Sequence, residues 1–259
     1  MNRYPLISCL CVTYKRPEAL VRAIRCFQGQ RYPNKELVIV YLDDDVSTKE
    51  LLHRYEEKNL VFIEIESSLE LSLGAKRNIS IDRCNGEYIC LWDDDDWYHE
   101  LRVETQYLEM KRNAKNASIL TNLILYDATA NRAYMSFNWV WEGTLLCKKD
   151  KLREYQYLDK NKGEDTQLIA NILDEIYPVV NPTLYIYIYN GENTGNHSHF
   201  RAFFLKSQKL SEDFSSCIKM ILEGGYSLEE GSRLLSAEAL LAEVRYMDWV
   251  KGPIEKILN

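Results

Sequence analysis

The chain has 259 residues, 46% apolar and 27% charged, enough for a substantial hydrophobic core and for one large α/β domain with a helical tail. Its net charge of −7 argues against a general nucleic-acid binder. No apolar run reaches the roughly 20 residues of a membrane span, and the N-terminus lacks the apolar region of a signal peptide, so the expected location is the cytoplasm.

Pro5 to Thr13 reads as a buried first strand, followed by a Tyr14-Lys15-Arg16-Pro17 turn with Pro17 at the first helical position. Leu20, Ala23, Ile24 and Phe27 then fall on one helical face. Glu36 to Leu42 is a second strand with little alternation, as in a parallel sheet covered on both sides. It ends in Asp43-Asp44-Asp45, before a helix expected over Lys49 to Lys58 and a third strand over Leu60 to Ile65. Leu73 to Cys84 reads as a helix with Lys76, Arg77 and Asn78 near its start. Tyr88 to Trp92 is a fourth strand running into Asp93-Asp94-Asp95-Asp96, and a helix is expected from Tyr98 to Arg112. Strand and helix alternating four times mark an open, mostly parallel α/β sheet.

The pattern changes after Asn113. Ile119 to Tyr126, Arg132 to Phe137 and Gly143 to Cys147 read as strands, Asp165 to Glu175 as a helix, and Tyr185 to Tyr189 as a half-exposed strand. Beyond Arg201 two helical pieces are split at Gly224-Gly225, and Ser227 with Glu230 forms a capping box. Ile218, Ile221 and Leu222 make one apolar stripe and Leu234, Leu235, Leu240 and Leu241 another, with core packing as the default for both. The seven cysteines lack paired metal-site spacing and read as buried free thiols.

Four adjacent aspartates repel one another unless a cation or hydrogen-bond donors neutralise them. In extended chain Asp93 and Asp95 share one face and Asp94 takes the other, so Asp93 and Asp95 suit a hard cation, Mg2+ or Mn2+, with room for phosphate oxygens. Ligands of open α/β sheets bind at the carboxyl ends of the strands. Thr13, Tyr14 and Arg16, then Asp43 to Asp45, then Asp93 to Asp96 all follow strands, and with Lys76 and Arg77 they suit a nucleotide diphosphate held through a divalent metal. A calcium-binding loop fails on geometry: Asp93, Asp95 and Glu104 fit positions 1, 3 and 12, but Tyr98 stands where the sharp turn needs glycine.

Four pieces in order, CVTYKRPEALVRAI, QGQRYPNKELVIVYLDDDVST, LGAKRNISID and NGEYICLWDDDDW, resemble the inverting glycosyltransferases of family 2. The resemblance implies the GT-A fold, a Rossmann-like open sheet flanked by helices, over residues 1–200, with a nucleotide-sugar half (1–112) and an acceptor half (113–200). Residues 201–259 would be a helical extension. It implies a sugar transferred from a nucleotide-diphosphate donor, UDP-sugar by family tendency with GDP and dTDP forms open, to a saccharide or lipid-linked acceptor. Bacterial surface polysaccharide or glycolipid synthesis, with peripheral contact at the inner face of the plasma membrane, follows by analogy.

Carried over by position, Thr13, Tyr14 and Arg16 would lie along the nucleotide, and Asp44, or Asp43, would hold the base. Lys76, Arg77 and Asn78 would lie near the donor, Asp93 and Asp94 at the ribose or metal-bound water, and Asp93 and Asp95 on the metal. Gly163-Glu164-Asp165 resembles the element that supplies the catalytic base, with Asp165 first and Glu164 as the alternative. Inversion needs one carboxylate to take the acceptor's proton, and a helix N-terminus would keep Asp165 ionised; simple capping by Asp165 is the competing reading. His197 and His199 are further candidates for the metal or the diphosphate. Trp139, Trp141 and Glu142 lie where an acceptor sugar would stack, or belong to the core. A sugar-phosphate nucleotidylyltransferase would need glycine after the first strand, and Thr13 to Pro17 has none. A non-catalytic nucleotide-sugar or metal-binding protein of the same fold would be expected to lose carboxylates that are present here.

Overall fold

The computed structural model describes residues 4–191, 193 and 197–236, with the side chains of His197 and His199 outside that set. Strand β1 (Ile7–Val12) leads through Pro17 into helix α1 (Pro17–Gln28), whose buried face is Leu20, Ala23, Ile24 and Phe27. Strand β2 (Lys35–Leu42) lies parallel to β1 with Leu10 opposite Val38, and helix α2 (Val46–Leu52) leads to β3 (Leu60–Ile65), parallel to β2. Helix α3 (Leu73–Arg83) returns the chain to β4 (Tyr88–Leu91), parallel to β1 on its other side. Along β2, Leu37, Ile39 and Tyr41 enter one apolar cluster while Val38 and Val40 enter the other. Both faces are buried, which is why this strand shows no polar alternation.

A two-residue strand β5 (Trp97–Tyr98) follows the acidic run, then helix α4 (Arg102–Arg112), β6 (Ala117–Leu120), β7 (Ile124–Asp127), β8 (Arg132–Met135) and β9 (Leu146–Lys148). Helices α5 (Lys149–Tyr155) and α6 (Thr166–Asn171), β10 (Ile176–Val179) and β11 (Tyr185–Tyr189) come next. Helix α7 (His197–Lys206), strand β12 (Gln208–Lys209), α8 (Glu212–Leu222) and α9 (Leu228–Leu234) complete the described chain. The main sheet has the order β10-β6-β9-β4-β1-β2-β3, antiparallel only where β9 meets β4 and β6. The second sheet has the order β12-β8-β7-β11-β5.

Several elements depart from expectation for local reasons. The strand expected over 119–126 breaks at Thr121, whose N–H bonds the Val179 carbonyl, and its halves join different sheets. Helix α4 begins at Arg102 rather than Tyr98 because Trp97 and Tyr98 pair with β11. Helix α2 starts earlier than expected, since the Asp45 carboxylate caps it by accepting from Thr48 N–H at 3.0 Å. The 165–175 helix splits into α6 and a 3-10 turn over 173–175. Strand β10 went unpredicted because Pro178 lies inside it; as the edge strand it loses no inner ladder bond.

The capping box at Ser227 and Glu230 opens α9 as expected. Phe214, Ile218, Ile221 and Leu235 pack into the same cluster as Leu20 and Phe27. Leu240 and Leu241 lie outside the described residues. Six of the cysteines are buried, Cys217 is partly so, and all are free. No helix among the described residues is long and apolar enough to cross a membrane.

Candidate active site

The acidic run leaves β4 as a turn, not as extended chain. Arg22 locks its backbone, donating to the carbonyls of Asp95 at 2.6 Å and Asp96 at 3.3 Å, and the Tyr98 hydroxyl donates to the Asp93 carbonyl at 2.7 Å. Asp96 is fully buried and accepts from the Tyr185 hydroxyl and from Ile188 N–H at 2.9 Å, tying the turn to β11. Beneath lies the buried Arg102 guanidinium, caged by the rings of Trp92, Tyr98 and Tyr185 and donating to the Leu91 carbonyl at 2.9 Å.

The turn corrects the expectation that Asp94 faces away from Asp95. Arg16 bridges both, at 3.1 Å to Asp94 and 2.7 Å to Asp95, and Thr13 donates to Asp94 at 2.6 Å. Burial, followed by the neighbouring Asp95, pushes the Asp94 carboxyl up to about 7 against Arg16 and Thr13. Burial likewise raises Asp95. Asn193 adds a hydrogen bond to Asp95 at 3.1 Å.

The three aspartates after β2 have different partners. Asp43 accepts from Ser67 N–H at 2.8 Å, and Asp45 caps α2. Asp44 is exposed and meets the Tyr14 hydroxyl at 2.8 Å and Lys15 Nζ at 3.1 Å. Of this trio, Asp44 is the carboxylate beside an exposed aromatic ring. Lys76 is half-buried, with its charge disfavoured by burial and favoured by Asp44.

Helix α3 also holds the 157–165 loop in place. The N–H of Gly74 bonds the Lys160 carbonyl at 3.1 Å, and that of Leu73 bonds the Asn161 side chain at 2.9 Å. Asn78 clamps the Tyr157 backbone, donating to its carbonyl and accepting from its N–H, both at 2.9 Å. Asn78, expected near the donor, uses its amide to dock the 157–165 loop. Arg77 points into the cleft, bonded to Glu164, 3.3 Å from Asp93 and 3.9 Å from Asp165. Glu164 is buried, which raises its carboxyl, while Arg77 opposes that shift. Asp165 stands at the N-cap position of α6 but makes no side-chain capping bond. Its carboxylate is not consumed by capping, and α6 has only 6 residues, so little helix dipole acts on it.

These parts open onto a cleft of about 750 Å3. Asp93, Asp94, Asp95, Glu142, Glu164 and Asp165 line it against Arg16, Arg77 and Lys162. Trp139, Trp141, Tyr187 and Phe203 form an aromatic wall, of which Trp139 is the exposed member. Arg22 and Tyr187 carried no signal in the sequence, because each reaches the site through contacts with distant segments. Thr13, Tyr14, Asp44 and Lys76 lie around the cleft without lining it.

Carboxylates at the end of β4 thus face a second carboxylate pair, Glu164 and Asp165, across one cleft. The sequence profile of Glycosyl transferase family 2 matches residues 8–164, and the chain belongs to that family. An uncharacterized glycosyltransferase of Methanocaldococcus jannaschii is 31% identical over 130 residues, 49% of this chain and 44% of that protein. A glycosyl transferase provisionally assigned to colanic acid biosynthesis in Escherichia coli K12 is 31% identical over 127 residues, 47% of this chain and 44% of that protein. The chain thus matches less than half the length of these curated relatives. Among solved structures, Staphylococcus aureus TarS residues 1–349 with UDP-GlcNAc superposes with TM-score 0.60 at 14% identity, covering 96% of this chain and 77% of that one. The mannosyltransferase PcManGT of Pyrobaculum calidifontis with GDP-Man and Mn2+ gives 0.57 at 13%, covering 99% and 79%. Both likenesses show the GT-A fold.

Proposed function

We propose that the chain transfers a sugar, with inversion, from a nucleotide-diphosphate donor to an acceptor hydroxyl. The observation that carries the reading is Asp165, a carboxylate at a helix start that makes no capping bond and faces the same cleft as Asp93, Asp95 and Arg16. As the acceptor oxygen attacks the anomeric carbon, Asp165 takes its proton and the nucleoside diphosphate leaves from the opposite face. Arg16 offers positive charge to the departing diphosphate. Glu164 is held by Arg77 and acts as that residue's counter-ion rather than as the base.

The donor set fits a hard divalent ion. Six carboxylates against three cations line the cleft, so a diphosphate needs further positive charge to enter. Among the described residues no group of three or more His, Cys, Asp or Glu side chains is placed to hold a metal ion. Asp93 and Asp95 would hold Mn2+ or Mg2+, and the ion would supply Lewis-acid charge at the leaving group. His197 and His199 remain candidates whose side chains lie outside the described residues.

Asp44 with Tyr14 would receive the base, and the UDP-GlcNAc bound by the TarS relative supports a UDP-sugar as donor. Trp139 offers a ring face on which an acceptor sugar would stack. Relatives in surface-polymer synthesis support a bacterial polysaccharide or glycolipid acceptor. A nucleoside-diphosphate-release assay across UDP-, GDP- and dTDP-sugars, with product anomers read by NMR, tests the reading. Release with inverted product, lost in Asp165→Asn, is expected; a retained anomeric configuration would overturn it.

A further inference from the structure

Asp95, the carboxylate proposed to ligate the ion, is gripped by a residue with no part in the transfer chemistry itself. Asp95 Oδ2 accepts from Arg16 Nη1 at 2.7 Å and from Asn193 Nδ2 at 3.1 Å. The same Nδ2 donates to the Ile188 carbonyl at 2.9 Å, and the Asn193 side-chain oxygen accepts from Asn190 N–H at 3.0 Å. Both amide hydrogens and the amide oxygen are engaged at once, and a flipped amide would set oxygen against oxygen at two of the three contacts. Closing the turn after β11 needs only the bonds to Asn190 and Ile188. The remaining hydrogen reaches a carboxylate 98 residues earlier in the chain. Ile188 also donates its N–H to Asp96 at 2.9 Å. One residue of β11 thus holds Asp96 directly through its N–H, and Asp95 by way of Asn193 through its carbonyl.

We propose that Asn193 is a positioning residue for the divalent-ion site: its clamped amide fixes the Asp95 carboxylate through Oδ2 and leaves Oδ1 for the ion. The inference rests on the metal-held nucleotide diphosphate proposed for this cleft. Among the described residues the side chains that meet the Asp95 carboxylate are Arg16 and Asn193, and they act differently on a cation. Arg16 is positively charged, is shared with Asp94 and is the proposed partner of the departing diphosphate, so it does not hold Asp95 alone through the reaction. The Asn193 amide is neutral, and it orients Asp95 without adding a charge that repels the ion. It is also anchored to backbone rather than to a mobile side chain, so its donor direction is set by the end of β11. Outer hydrogen-bond partners of this kind are worth about 10–100-fold in metal affinity. Asn193 lines the cleft together with Asp93, Asp95 and Arg16, within reach of the site it orders.

Two measurements on the full chain test this. The first is UDP binding by calorimetry across a range of Mn2+ concentrations, in wild type and Asn193→Ala, with the metal-free Tm read alongside. The half-saturating Mn2+ concentration should rise about 10–100-fold in Asn193→Ala. UDP affinity at saturating Mn2+ should equal that of wild type, and the metal-free Tm should fall by no more than about 4 °C. An unchanged Mn2+ requirement would overturn the inference and leave Asn193 a turn-closing residue. So would a UDP affinity that stays low at saturating Mn2+, which would place Asn193 on the nucleotide or in loop packing. The second measurement needs no variant, and so decides the matter even where Asn193→Ala does not fold. Nitrogen-15 NMR of the wild-type side-chain amides, with UDP present, follows Asn193 as Mg2+ is added. Its amide signals should shift and remain slow to exchange with water, as befits a group still bonded to Ile188 and Asp95. Signals that ignore Mg2+, or that become fast-exchanging, would overturn the inference. Wild-type UDP binding that is indifferent to metal would sink the metal-held reading, and the role of Asn193 with it. Metal-dependent binding whose Mn2+ requirement is unmoved in Asn193→Ala would sink the inference alone.

Discussion

Arg77 gives the most direct energetic test of how the cleft is assembled. Its side chain is 8% exposed, and it faces Glu164, which is 6% exposed, together with Asp93, Asp165 and the Tyr157 ring. Arg77→Met preserves most of the packing volume but strands a buried carboxylate. Removing one partner of such a pair costs about 3–5 kcal/mol. For a chain of this size that is roughly 6–20 °C in Tm, at about 2–4 °C per kcal/mol. The loss should also depend on pH. Without Arg77, burial raises Glu164 further, the folded state binds more protons than the unfolded chain, and stability falls as pH rises through the ordinary glutamate range and beyond. Differential scanning calorimetry at pH 5 and pH 8 should therefore show a larger deficit at pH 8. Arg77→Met with Glu164→Gln should recover part of it, because the stranded charge is gone. A shift at pH 8 of less than about 2 °C, under about 1 kcal/mol, or a double variant as unstable as the sum of its singles, would refute the reasoning.

Other outcomes follow from single contacts. A Cβ at Gly74 would lie 1.8 Å from the Leu158 carbonyl oxygen, so Gly74→Ala must displace the 157–165 loop and should lower both Tm and kcat while leaving UDP affinity largely intact. Gly143→Ala crowds the Asp93 carboxylate and should weaken metal-dependent UDP binding with little change in Tm. Tyr14→Ala should weaken UDP binding about tenfold through lost base stacking, measured by calorimetric titration, without unfolding the exposed loop. Trp139→Ala should raise the acceptor KM and leave UDP affinity unchanged; equal losses in both would place Trp139 on the donor side.

Much of the first 112 residues was legible because its signals are local. The unbroken apolar run of β2 announced a strand buried on both faces, and Pro17 with the Leu20-to-Phe27 stripe announced α1. The path of the acidic run was not legible. Period-two reasoning put Asp94 opposite Asp95, yet Arg22, Tyr98, Tyr185 and Ile188, brought in from three other segments, bend the run so that both meet Arg16. The bond of Asn78 to Tyr157 was not legible for a similar reason: the partner lies 79 residues away and gives no sign in the local motif. The different partners of Asp43 and Asp44, Ser67 N–H for one and the Tyr14 hydroxyl for the other, were not legible either, because Ser67 lies in a distant segment. Beyond residue 113 the strands are short, the described chain passes from one sheet to the other three times, and Pro178 hides an edge strand, so pattern alone misplaced several boundaries.

A nucleoside diphosphate is expected to bind at the end of β4 through a divalent ion held by Asp93 and Asp95. Calorimetric titration of UDP, with and without Mn2+, into wild type and Asp95→Ala tests it most directly. Binding by wild type that requires Mn2+ and is lost in Asp95→Ala is the predicted result. UDP binding of equal strength without metal and in Asp95→Ala would contradict the claim, as would the absence of binding by UDP, GDP and dTDP with metal present.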